Sequence, residues 1–80
     1  MSDIVELDAR HLLCPMPVIR LQDCMSAQPT GTVTRVTCTD PGTQNDIPAW
    51  CRVNGHTLVS AEAIGQEYSF VVVKDSLGQP

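Results

Sequence analysis

Basic residues are scarce in this chain: five Lys and Arg stand against nine Asp and Glu among 80 residues, for a net charge of −4 and a pI near 4.7. So few cations cannot form a stripe that neutralises many phosphates, which speaks against direct nucleic-acid binding. Long apolar runs are missing as well. The longest, Phe70 to Val73, has the length of a strand and is far too short to cross a bilayer, so no membrane association is expected. The N-terminal Met1-Ser2-Asp3 lacks the basic and apolar regions of a signal peptide, which predicts a cytoplasmic location. No internal repeat, linker or low-complexity segment interrupts the chain.

Paired cysteines are absent too. Cys14, Cys24, Cys38 and Cys51 include no Cys-x-x-Cys couple to seed a zinc site, and a cytosolic chain is not expected to hold disulfides. The remaining reading is one working thiol among bystanders, with no metal. At 80 residues the chain forms a single domain, 1–80, with its core over about 4–74. A domain this small buries only roughly 60 to 65 per cent of its unfolded surface, so chemistry is expected at the surface or completed by a partner.

What is present sorts into six elements. Ile4 to Leu7 reads as a strand with Val5 and Leu7 on one face. Pro15 then opens a helix to about Ala27 with Val18, Leu21 and Met25 in one stripe. Pro29-Thr30-Gly31 breaks the chain, and Thr32 to Thr39 alternates as a second strand with Val36 and Cys38 on a common face. Asp40-Pro41-Gly42 turns into a second helix ending at Asn54 before Gly55, with Ile47, Trp50, Val53 and Asn54 on one side. Thr43 and Asp46 resemble a weakened capping box, and Pro48 leaves the start of that helix open. Thr57 to Ile64 and Tyr68 to Lys74 are strands joined across Gly65-Gln66, and Asp75 to Pro80 reads as a frayed tail. The order β-α-β-α-β-β predicts an α+β fold: a two-layer α/β sandwich with a mixed four-stranded sheet and both helices on one face. Val71 and Val73, opposite in phase to Phe70 and Val72, leave the second sheet face partly apolar.

The run Leu13-Cys14-Pro15-Met16-Pro17 carries the chemistry. Pro is favoured at the first helical position, which places Cys14 at the N-cap, where Ser, Thr, Asp or Asn is the structural choice. The helix terminus there favours an anion and lowers a thiol pKa. Pro17 has no N–H, leaving Met16 as the backbone donor to the sulfur, while Arg10 and His11 lie just upstream and add positive charge. No His or carboxylate is forced near Cys14 by spacing, so thiol exchange is expected in place of hydrolysis. Asp40 and Asp46 could form a carboxylate pair, but turn and cap duties account for both. Cys24, Cys38 and Cys51 read as packing residues, Trp50 as a core anchor and His56 as a solvated turn residue. Met16 reads equally well as an exposed contact for a partner and as a packed loop residue.

Four segments together resemble the TusA family of sulfur carriers, also called SirA-like: Leu7-Asp8-Ala9-Arg10, Leu13-Cys14-Pro15-Met16-Pro17-Val18, Thr39-Asp40-Pro41-Gly42 and Asp46-Ile47-Pro48-Ala49-Trp50-Cys51. The resemblance runs from about Ile4 to Lys74, and its marker is Cys-Pro-x-Pro. It implies a cytoplasmic sulfurtransferase-type carrier that accepts sulfane sulfur as a persulfide on Cys14, with Pro15 and Pro17 supporting the motif. It also implies a donor protein, such as a cysteine desulfurase or a rhodanese-like protein, and an acceptor relay protein. The pathways it points to are tRNA thiolation, sulfur oxidation and molybdenum cofactor biosynthesis, with no cofactor. One departure is His11, where many members have Gly: Gly permits a positive φ that His mostly avoids. The competing readings are a non-catalytic interaction or regulatory domain and a thiol redox or metal module.

Overall fold

A computed structural model describes residues 4–75. Its elements are β1 (Ile4–Ala9), α1 (Met16–Ser26), β2 (Val33–Cys38), α2 (Thr43–Asn54), β3 (Thr57–Ile64) and β4 (Glu67–Val73). The element order and the α+β architecture are those the sequence predicts. The sheet runs β1-β2-β4-β3, with β1 parallel to β2 and β4 antiparallel to both its neighbours. This follows from the connections. A helical crossover joins β1 to β2, whereas β3 and β4 are joined by a tight turn at Gly65, whose φ of 63° suits glycine.

One face of the sheet is buried under the helices. Ala9 of β1, Val36 and Cys38 of β2, and Phe70 and Val72 of β4 meet Leu21 and Met25 of α1 and Ile47 and Cys51 of α2. Strand periodicity puts Thr34 on that same face, fully buried, and its hydroxyl has no hydrogen-bond partner among the described residues. The other face carries Ile4, Val33, Val71 and Val73, half-buried or exposed, together with an ion pair between Glu6 and Arg35 at 2.8 Å.

Several local expectations change. Strand β1 runs on to Ala9, because its alternation continues through Asp8 to a fully buried Ala9. The buried stripe of α1 is Pro17, Leu21 and Met25, at i, i+4 and i+8, with Val18 packed at its margin. Helix α2 buries Thr43, Ile47 and Cys51, with the same spacing, so Val53 faces outward at 81% exposure and Trp50 lies at the edge of the core. The start of α2 is settled at Thr43, and Pro48 sits inside it, where the helix forgoes the bond that an N–H at 48 would give to the Gln44 carbonyl. Gly55 ends the helix with φ 75°, and the His56 N–H closes back on the Cys51 carbonyl at 2.9 Å. His56 is not a solvated turn residue. It is half-buried, its ring lies 5.0 Å from that of Trp50, and its Nδ1 accepts the Asp75 N–H at 3.2 Å. Of the tail expected to fray, Asp75 is held by this bond, and residues 76–80 lie outside the described residues.

Candidate functional site: a thiol between two loops

Because β1 and β2 are parallel, the loops that leave their C-terminal ends emerge at the same edge of the sheet. The first loop carries Arg10 to Pro15 and the second Thr39 to Gly42, and they are tied by hydrogen bonds. The His11 N–H donates to Thr39 Oγ1 at 2.8 Å, and the Cys14 N–H donates to Asp40 Oδ2 at 2.7 Å. The other oxygen of Asp40 accepts the Gly42 N–H at 3.1 Å, so one carboxylate both shapes its own turn and fixes the cysteine loop. His11 takes φ 67°, the left-handed conformation that Gly takes without strain and that His adopts more readily than most residues.

Helix α1 begins one residue later than the sequence suggests. Pro15 occupies the N-cap with φ −96° and ψ 13°, Met16 is the first helical residue and Pro17 the second. Cys14 therefore precedes the cap. The Met16 N–H, expected to face the sulfur, is bonded to the Leu13 carbonyl at 2.8 Å and closes a turn around a cis Cys14–Pro15 peptide bond. Neither proline has an N–H to offer, so of residues 15–17 none has a free N–H for the thiol.

The sulfur instead finds a carboxylate. Cys14 Sγ donates to Asp46 Oδ2 at 2.7 Å, from a side chain in the first turn of α2. The hydrogen bond to Asp46 pushes the thiol pKa up, with desolvation and the charge of Asp40 adding to it, so the lowered pKa expected from the helix terminus is overturned. A full negative charge in direct contact outweighs the half charge of a helix end whose influence fades within a turn. The capping box at Thr43 and Asp46 does not form either. Thr43 Oγ1 donates to the Asp40 carbonyl at 2.7 Å, α2 has no side-chain cap, and Asp46 is turned towards the thiol.

The structure brings Cys14, Pro15, Met16 and Pro17 together at one exposed corner, with Pro17 buried beneath it. Leu13 is 75% exposed and Met16 39%, and Ile19 extends the same apolar surface along α1. Arg10 is directed elsewhere. Its guanidinium holds Asp8 through Nε at 2.9 Å and Nη2 at 3.1 Å, and reaches Glu67 at 3.4 Å. That contact holds the Asp8 carboxyl at about 2. The other cysteines are sheltered: Cys24 is half-buried, while burial pushes the fully buried Cys38 and Cys51 thiols up to about 11. Among the described residues no group of three or more His, Cys, Asp or Glu side chains is placed to hold a metal ion, and no helix is long and apolar enough to cross a membrane.

Sequence reasoning assigned Asp40 and Asp46 to turn and cap, and no spacing rule could have placed them at the thiol. They lie 26 and 32 residues beyond Cys14 and reach it only through the parallel pairing of β1 with β2. The one available signal was a pair of acidic residues flanking the turn that opens α2.

Comparison with known proteins points the same way. The family model described as "Sulfurtransferase TusA" matches residues 5–74. The sulfur carrier protein TusA of Pseudomonas syringae is 39% identical over 71 residues, covering 89% of this chain and 84% of that protein. The sulfur carrier protein TusA of Allochromatium vinosum is 35% identical over 69 residues, covering 86% and 91%. The crystal structure of a SirA-like protein from Desulfitobacterium hafniense superposes with a TM-score of 0.77 at 20% identity, covering 92% of this chain and all of that one, and so matches the fold. With almost its whole length matched by the family model and these relatives, the chain belongs to the TusA family.

Proposed function

We propose that this protein is a sulfur carrier that accepts a sulfane sulfur on Cys14 as a persulfide and passes it to an acceptor protein. The observation that carries this reading is the exposure of Cys14, within the Cys-Pro-x-Pro turn, in a chain whose relatives are named sulfur carriers. In the loading step the Cys14 thiolate attacks the terminal sulfur of a donor persulfide. The new Sγ–S bond forms as the donor's S–S bond breaks, and the donor departs as a thiolate that takes up the proton Cys14 released. Discharge is the same exchange, with an acceptor thiolate attacking the outer sulfur.

Because Cys14 lies on the surface, the exchange needs no pocket, and the apolar Leu13, Met16 and Ile19 beside it offer a contact for the donor and the acceptor in turn. A cysteine desulfurase or a rhodanese-like protein fits the donor role, and a relay protein in tRNA thiolation or sulfur oxidation fits the acceptor role. The acidic balance favours delivery to proteins over direct binding of RNA.

The test is intact-mass and peptide mapping after incubation with a cysteine desulfurase and cysteine. Wild-type protein, and a variant retaining Cys14 as its sole cysteine, should each gain the mass of added sulfur at Cys14, whereas Cys14→Ser should fold and gain none. Sulfur on Cys14→Ser, or none on the folded Cys14-only variant, would overturn the assignment.

A further inference from the structure

The contact between Cys14 and Asp46 has a direction. The thiol donates, the carboxylate accepts, and the bond exists only while the sulfur carries a hydrogen. Asp46 is not needed to cap its own helix, since α2 has Gly42 at its N-cap with no side-chain bond there and the Asp46 N–H is held by the Gly42 carbonyl at 3.0 Å. Asp40 brings a second carboxylate to the same loop, bonded to the Cys14 N–H.

We propose that Asp46 is a positioning residue that biases Cys14 towards its unloaded thiol form, so that the carrier holds sulfur weakly and gives it up readily. The proposal rests on the sulfur-carrier reading above. Consider the exchange in which Cys14–SH and a donor R–S–SH become Cys14–S–SH and R–SH. Sulfur changes places, one S–S bond replaces another, and no external oxidant or reductant is needed. On the left, Sγ gives its hydrogen to Asp46. On the right, Sγ is bonded to a second sulfur and has no hydrogen to give. A persulfide is also a stronger acid than its thiol, so the loaded group carries negative charge near neutral pH, beside two carboxylates. Loss of the hydrogen bond and gain of repulsion both push the exchange to the left.

The same bond slows loading. Each unit by which the pKa is raised cuts the thiolate fraction about tenfold, while nucleophilicity recovers only about threefold, a net loss of about threefold per unit. Loading is thereby left to donors that engage the site closely. The charged groups facing the sulfur are Asp46 on α2 and Asp40 on the loop after β2. On its own loop His11 lies three residues upstream, and Arg10 is engaged by Asp8 and Glu67.

Asp46→Asn keeps the shape of the side chain and removes its charge, and two readouts follow. The pH profile for alkylation of Cys14 by iodoacetamide should move to lower pH, with the rate at pH 7 rising about threefold or more. At equilibrium with glutathione persulfide and glutathione, the loaded fraction measured by intact mass should shift towards persulfide by about three- to tenfold in the exchange constant. Asp46→Ala, which removes the acceptor altogether, should reproduce both shifts, and a thermal melt of each variant confirms that it is folded. A merely structural role would not move the alkylation midpoint and the exchange constant in these two directions together. An unchanged midpoint, or an exchange constant equal to wild type or shifted towards thiol, overturns the proposal alone. A wild-type protein that takes up no sulfur overturns the carrier reading and the proposal with it.

Discussion

His11 holds the cysteine loop at a left-handed turn, and the cost of doing so can be measured. Its φ of 67° brings Cβ close to its own carbonyl, a strain of about 1 to 2 kcal/mol for an L-residue that glycine does not feel. The side chain is exposed, and the hydrogen bond at this position, to Thr39 Oγ1, comes from the backbone N–H, which any replacement but Pro retains. His11→Gly relieves the strain but loosens the unfolded chain by about 0.4 to 1 kcal/mol, so relative to wild type it should be neutral or stabilising by up to about 1.6 kcal/mol. His11→Ala removes the same side chain and keeps the strain. The comparison that isolates the backbone is therefore Gly against Ala, and Gly should be the more stable by about 1 kcal/mol. At about 2.1 cal/mol/K per residue, a domain of this length gains about 0.17 kcal/mol/K on unfolding, so the two melting temperatures should differ by about 6 °C. Urea and thermal unfolding of the three proteins make the measurement. If the Ala variant melts above the Gly variant, residue 11 is not held at positive φ and the account of this loop fails.

Two further outcomes follow from single side chains. Thr34→Val should raise stability by about 1 kcal/mol in urea unfolding, because it removes a buried hydroxyl with no partner and keeps the volume; an unchanged or lower midpoint would show that the hydroxyl is satisfied. Burial first, and then the charge of Lys74, lower the His56 pKa below its ordinary 6.5, so the fold favours the neutral ring, and stability should be full above that value and decline as pH falls through and below it. The melting temperature should accordingly drop from pH 7 to pH 5, and His56→Gln should lose that part of the drop.

The elements were legible because the sheet and helices are built by alternation, and alternation is local. Val36 with Cys38, and Phe70 with Val72, predict a shared buried face from neighbouring residues alone, and the structure buries all four. Helix α2 was harder. Trp50 and Val53 are apolar and lie at helical spacing, yet its buried stripe is Thr43, Ile47 and Cys51. A threonine and a cysteine carry little hydrophobic signal, so composition placed Ile47 and Trp50 correctly against the core but turned the expected face too far, towards the exposed Val53 and Asn54. The motif at Cys14 was legible as a pattern, but its electrostatics were not, because they depend on residues that meet only when β1 and β2 pair in parallel. Local rules placed the sulfur on a helix cap. The hydrogen bond from Met16 to Leu13 moves the cap to Pro15 and leaves Cys14 outside it.

That displacement changes how one cysteine in four is selected. If the helix end governed, Cys14 would be singled out by acidity, and any electrophile in solution would find it. In the folded chain the carboxylates raise the Cys14 pKa, and burial raises those of Cys38 and Cys51, so these three thiols are all protonated at neutral pH. What separates them is access: Cys14 is exposed beside Leu13 and Met16, whereas Cys38 and Cys51 lie under the helices. Selection by access places the decision in the exposed surface around Cys14, where Leu13 and Met16 lie. A thiol kept protonated at an exposed position takes up sulfur slowly from whatever it meets by chance, so loading is left to a donor that engages the site closely.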